Sequence, residues 1–237
     1  SPGIFSKGNA ENYFNYVFFH ELTHAFGFID GVYEHFPGGR GQTLLYETDQ
    51  FGISRTYIKT PKVLEMAKKY YGCENVKGVL VENQGTSGSV SSHWEARVLL
   101  GDYMTSEIYQ DELAISEITL ALLEDTNWYK VNYYTGGLMR FGKNKGCDFL
   151  NSHCLNTTTF RTKFEDEFFS LDIKDYSSCT TGRQSRTYNL INYYTSVEPE
   201  YYYLLPTLPG QIFYYVGGPF YSADYCPVNY HIIPEYK

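Results

Sequence analysis

Apolar positions cluster most densely near the start of the chain. Between Tyr13 and Phe28 they include Phe14, Tyr16, Val17, Phe18, Phe19, Leu22, Ala25 and Phe26, spread round every side of a helical wheel. A helix apolar on all sides is expected to be buried rather than to lie on the surface. The pattern predicts a helix from Ala10 to Phe26, with Asn9 as N-cap and Glu11 in the first turn. Gly27 follows, where the chain can turn back sharply. Asp30–Arg55 mixes polar and apolar residues; Pro37, Gly38, Gly39 and Gly41 in it read as loop, with His35 solvated in that loop. Pro61 opens a second helix through Val63, Leu64, Met66 and Ala67 to Tyr71, and Gly72 stops it. Val76–Glu82 reads as a strand, and Asn83–Ser92 as a Gly/Ser loop. Leu113, Ile115, Ile118, Leu122 and Leu123 repeat at helical spacing within Asp111–Trp128. Lys130–Tyr134 is rich in strand formers. From Asn156 onward helical periodicity gives way to Tyr, Thr, Ser, Gly and Pro, which predicts short strands and loops. The fold class expected is α+β, divided into residues 1–155 and 156–237.

The first helix carries chemistry as well. His20, Glu21 and His24 form H-E-x-x-H. Positions i and i+4 lie about 40° apart on one helix face. Two imidazoles in that register can share one Zn²⁺ at about 2.0–2.1 Å each. Glu21, beside the metal rather than on it, can take a proton from an activated water. Buried histidines and a buried glutamate need partners, and a metal would be one. A catalytic zinc takes three protein ligands and keeps a position open. Two residues could complete the set. Asp30 lies three residues after Gly27, in H-E-x-x-H-x-x-G-x-x-D; His93 lies 69 residues after His24. Spacing by itself favours Asp30.

Composition bounds the rest. The chain has 237 residues, 43% hydrophobic and 19% charged, which is globular and not disordered. A net charge of −8 argues against nucleic acid and anionic membrane as partners. No apolar run of about 18 residues is present, so no transmembrane helix is expected in this chain. The five cysteines, Cys73, Cys147, Cys154, Cys179 and Cys226, form no C-x-x-C motif, so a thiolate metal site is not expected. Cys147 and Cys154 are expected in different bridges, and Cys179 and Cys226 to tie down the last segment. Asn156-Thr157-Thr158 is a glycosylation sequon. His153 is read as a surface residue, Trp94 as core, and Glu95 and Arg97 as structural or solvated.

Longer stretches carry a family resemblance. HELTHAFGF at 20–28, TPKVLEMAKKYYGC at 60–73, GTSGSVSSHWEAR at 85–97, Met104, ITLALLEDTNWYKVNY at 118–133, GKNKGCDF at 142–149 and ADYCPV at 223–228 together resemble the leishmanolysin family of metzincin peptidases. That resemblance implies a zinc endopeptidase with His20, His24 and His93 as ligands, Glu21 as general base and Met104 as the hydrophobic floor of the Met-turn; Asp30 stays as the alternative ligand. It further implies a metzincin-like catalytic domain in residues 1–155, with zinc helix 10–26, insertion 28–92 and C-terminal subdomain 93–155. A cysteine-containing domain would begin at 156. Metzincin domains place a sheet ahead of the zinc helix, so the chain is expected to be a fragment. Implied partners are protein or peptide substrates, and the implied location is secreted or cell-surface, with membrane association in relatives. A non-catalytic zinc-binding adhesion module and an inactive fragment are the rival readings.

Overall fold

The computed structural model describes residues 7–106, 113–156, 158–171, 177–180, 186–188, 191–194, 196–198, 201 and 215–229. Helix α1 spans Lys7–Phe26, starting before Asn9, and its side chains are described from Phe14 onward. It ends at Gly27, whose φ of +130° lies where L side chains are strained. A Cβ there would also meet the Trp128 ring at 3.1 Å. A 3₁₀ helix, Asp30–His35, and a single turn α2, Arg40–Thr43, flank the expected loop at Pro37, Gly38 and Gly39, while Gly41 falls within α2; His35 is exposed beside Glu34 and ends the 3₁₀ helix rather than lying in the loop.

Strands β1 (Leu44–Thr48), β2 (Ser54–Ile58) and β3 (Val79–Val81) form an antiparallel meander, with Leu44 opposite Ile58 and Ile58 opposite Val79. β3 is shorter than the strand expected over Val76–Glu82. Between β2 and β3 runs α3, Pro61–Tyr71, closed by Gly72 in the left-handed conformation. Asp125, in the last turn of α5 (Glu117–Asp125), caps α3: its carboxylate accepts from the Lys62 and Val63 amides at 2.9 and 3.0 Å. α3 and α5 pack together. The short α4 (Ala96–Leu99) precedes α5 in the chain, and α5 itself is N-capped by Ser116. Lys130–Tyr134 forms no strand; a 3₁₀ turn at Tyr133–Thr135 stands there, where Gly136 and Gly137 break any extended run.

Later come α6 (Cys147–Asn151) and two small hairpins pairing β4 (Ser177–Cys179) with β5 (Arg186–Tyr188), and β6 (Asn192–Tyr194) with β7 (Tyr215–Gly217). Disulfides join Cys73 to Cys147 and Cys154 to Cys226. Cys147 and Cys154 are thus in different bridges, and Cys179 takes part in neither. One buried apolar cluster runs from Phe28 to Val228.

The expectation of an all-round buried first helix is corrected. Among the described hydrophobic side chains of α1 only Tyr16 packs against that cluster, while Phe14, Phe18, Phe19 and Phe26 are 69, 63, 48 and 38% exposed. Among the described residues one face of the helix is covered, and the opposite aromatic face meets solvent.

Candidate metal centre

The three-stranded sheet does not stop at β3. Val81 bridges Trp94, and Trp94 bridges Thr105, so two further extended segments continue the sheet towards α1. The Glu82 amide donates to the His93 carbonyl at 2.9 Å, and the Ser91 amide to the Glu82 carbonyl at 2.9 Å. Trp94 is fully buried, its ring tilted against that of Phe28, with its indole N–H on Thr119 Oγ1 at 2.8 Å. The meander is therefore the device that carries His93 across 69 residues of sequence to α1.

There the three histidines meet. His20 Nε2 lies 3.0 Å from His93 Nε2 and 3.1 Å from His24 Nε2, and the three ligand atoms all fall within 4.8 Å of one another. Each Nδ1 is already engaged by a backbone carbonyl: Tyr103 for His20 at 2.7 Å, Phe28 for His24 at 2.7 Å and Ser89 for His93 at 3.0 Å. A carbonyl only accepts, so Nδ1 carries the proton in all three rings and Nε2 keeps its lone pair. Three lone pairs aimed at one point repel one another unless a cation lies between them. Two nitrogens bound to one tetrahedral Zn²⁺ would stand about 3.3–3.4 Å apart, close to the spacing seen. Burial pushes the His93 imidazole down to about 4 and lowers that of His20. Both rings are then neutral near pH 7, as metal ligation needs.

Of the other residues read as candidates, Asp30 is not in the cluster. Its carboxylate takes the Arg40 guanidinium at 2.6 Å. Glu21 is exposed, not buried as expected, because it falls on the same helix face as Phe14 and Phe18. Met104 is fully buried on the turn Gly101–Thr105.

That turn holds two residues the sequence reading passed over. Asp102 is fully buried and accepts from the Met104 amide at 2.7 Å, the Ser116 amide at 3.1 Å and the Thr119 hydroxyl at 2.8 Å. Burial pushes its carboxyl up to about 6. Tyr103 gives His20 its carbonyl and shares a 2.6 Å hydroxyl contact with Thr23 one turn along α1. The only sequence signal was Gly101-Asp102, a turn pair adjoining Met104.

A second buried polar cluster joins β2 to the residues that follow His93 and to Asp224. Asp224 sits between Arg55 at 2.8 Å and Arg97 at 3.0 Å, while Arg55 also reaches Asp49 at 3.2 Å and Glu95 at 3.9 Å. Glu95 and Arg97 are thus internal ion-pairing groups, not solvated ones. Burial works to raise the Asp224 carboxyl, but the two guanidiniums hold it below the usual range. Burial drives Glu95 well up and Glu82 to about 7. His153, expected at the surface, is half-buried against the Phe51 ring. It lines a cavity of about 250 Å³ with Arg55, Arg97 and Asp49.

Comparison with known proteins places the chain in a family. The family model described as leishmanolysin matches residues 6–233. A leishmanolysin-like peptidase of Caenorhabditis briggsae is 32% identical over 254 residues, covering 88% of this chain and 38% of the relative. A leishmanolysin homolog of Crithidia fasciculata is 31% identical over 88% of this chain and 30% of its own length. The leishmanolysin of Leishmania tropica is 27% identical over the same shares. The chain spans less than two fifths of these relatives' lengths. By this match over most of its length, the chain belongs to the leishmanolysin family.

Proposed function

We propose that this chain carries the catalytic centre of a zinc-dependent endopeptidase acting on protein or peptide substrates. The observation that carries the reading is the convergence of three Nε2 lone pairs, each with its Nδ1 held by a backbone carbonyl. His20, His24 and His93 would hold Zn²⁺. Bound there, the ion would acidify a water and draw charge from the scissile carbonyl. Glu21, open to solvent next to the buried His20, takes the proton of the attacking water and returns it to the leaving amine. Met104 forms an apolar floor under the site.

In the same reading, residues 1–155 are part of a metzincin-like catalytic domain, and residues from 156 begin a disulfide-tied C-terminal domain. Two disulfides support a secreted or cell-surface location. No helix among the described residues is long and apolar enough to cross a membrane.

The exposed Phe14, Phe18 and Phe19 favour one rival, a zinc-holding surface module that engages a protein without cleaving it. Metal analysis of the purified chain, with a fluorogenic peptide assay before and after 1,10-phenanthroline, separates the two. About one zinc per chain and chelator-sensitive cleavage support the peptidase. Zinc without cleavage supports the surface module. Folded protein that takes up no zinc overturns both.

A further inference from the structure

We propose that Asn156 is the attachment site of an N-linked oligosaccharide. Asn156-Thr157-Thr158 is the only Asn-x-Ser/Thr triplet in the 237-residue sequence, and its middle residue is not proline. Cys154 and Leu155 are buried; Asn156, Thr158 and Thr159 are exposed, so the chain leaves the core at the asparagine.

The loop is closed by the Asn156 amide on the Arg161 carbonyl and the Phe160 amide on the Asn156 carbonyl, both at 2.8 Å. Within it Asn156 Oδ1 accepts from the Thr158 and Thr159 amides at 3.0 and 2.9 Å. The side-chain oxygen is therefore turned into the loop and Nδ2 away from it. Among the described residues nothing hydrogen-bonds to Nδ2 or to the Thr158 hydroxyl, the two groups that define the sequon. A sugar attached at Nδ2 therefore breaks no hydrogen bond among the described residues.

The second observation concerns compartment. One disulfide ends at Cys154, two residues before the sequon, and the other joins Cys73 to Cys147. Both need the oxidising lumen in which such sugars are transferred. The donor is an oligosaccharyl diphosphate carried on a polyisoprenoid lipid. Nδ2 attacks the anomeric carbon, the C–O bond to the diphosphate breaks, the lipid diphosphate leaves with the electron pair, and the amide gives up one proton. The amide stays neutral, and no oxidant or reductant is consumed.

The test is cell-free translation of the full chain behind a cleavable secretory leader, with endoplasmic-reticulum microsomes. The chain protected from added protease should migrate more slowly. Peptide-N-glycosidase F should abolish the shift and leave Asp at position 156 by mass spectrometry. Asn156→Gln and Thr158→Ala should each remove the shift, and Thr158→Ser should keep it. A protected, unshifted wild-type chain overturns the proposal, as does a shift that survives Asn156→Gln. Transfer occurs on the nascent chain, so a variant that later folds poorly still reports. The readout is independent of metal and of peptidase activity.

Discussion

The Tyr103 carbonyl accepts the His20 Nδ1 proton at 2.7 Å, and the turn presenting that carbonyl is held by a carboxylate that never touches the histidine. Asp102 closes the turn on Met104 and ties it to the start of α5 at Ser116 and Thr119. In Asp102→Asn one acceptor becomes a donor facing the Ser116 amide. Zinc affinity should fall about 10–100-fold, the usual cost of disturbing a ligand's supporting hydrogen bonds. Competition with a chromogenic chelator measures it. Tyr103→Phe keeps the carbonyl and loses only the Thr23 contact, so it should cost about 1 kcal/mol of stability with affinity unchanged. Equal affinity in Asp102→Asn and wild type would remove Asp102 from this role.

Glu21→Gln should retain zinc and lose roughly 10²–10⁴-fold in kcat, since it removes the proton acceptor and leaves the ligands alone. His93→Ala should lose zinc under the same dialysis that wild type survives. Asp30→Ala should keep it, because the Asp30 carboxylate is spent on Arg40. Metal content and peptide cleavage on the three variants give distinct patterns. Zinc lost in Asp30→Ala and kept in His93→Ala would reverse the ligand assignment.

Asp224→Ala should destabilise the fold by about 3–5 kcal/mol, because it removes the carboxylate shared by two buried guanidiniums, leaving Arg55 with Asp49 and Glu95 and Arg97 with the Leu150 and Ser152 carbonyls. The same change tests whether residues near 224 support the segment that follows His93, through Arg97. Denaturant unfolding measures the first effect, and chelator competition the second. A loss under about 1 kcal/mol would mean that water reaches the cluster.

Burial, with Arg97 nearby, pushes His153 down to about 4 from an ordinary value of 6.5. Its folded pKa is depressed, so between pH 6.5 and 4 the unfolded chain binds the proton more readily than the folded one. This residue's contribution to stability is therefore complete above pH 6.5 and is lost as pH falls towards 4. His153→Gln should flatten that part of the melting-temperature profile and leave the profile near pH 8 in place. An unchanged acid limb would assign it to the carboxylates instead.

Features that depend on near neighbours in sequence could be read without coordinates. The i, i+4 histidines of α1 share a face through helix geometry, whatever else the chain does. Pro61 and Gly72 bound α3 because one lacks an amide proton and the other tolerates positive φ. The family stretches were legible for the same reason, being runs of residues in order. The choice between Asp30 and His93 was of another kind. Spacing favoured Asp30, yet its carboxylate turns to Arg40 ten residues on, while β1–β3 and the Trp94 bridges bring His93 to α1. Sheet pairing between distant segments leaves no local periodicity to read. Which side of α1 would be covered was undecided likewise, since an all-round apolar sequence does not specify which partners reach it. The cap that Asp125 places on α3, the pairing of Cys73 with Cys147, and the Arg55–Asp224–Arg97 cluster join residues 62 to 169 positions apart. Only the closed tertiary structure puts those groups within hydrogen-bonding or bonding distance.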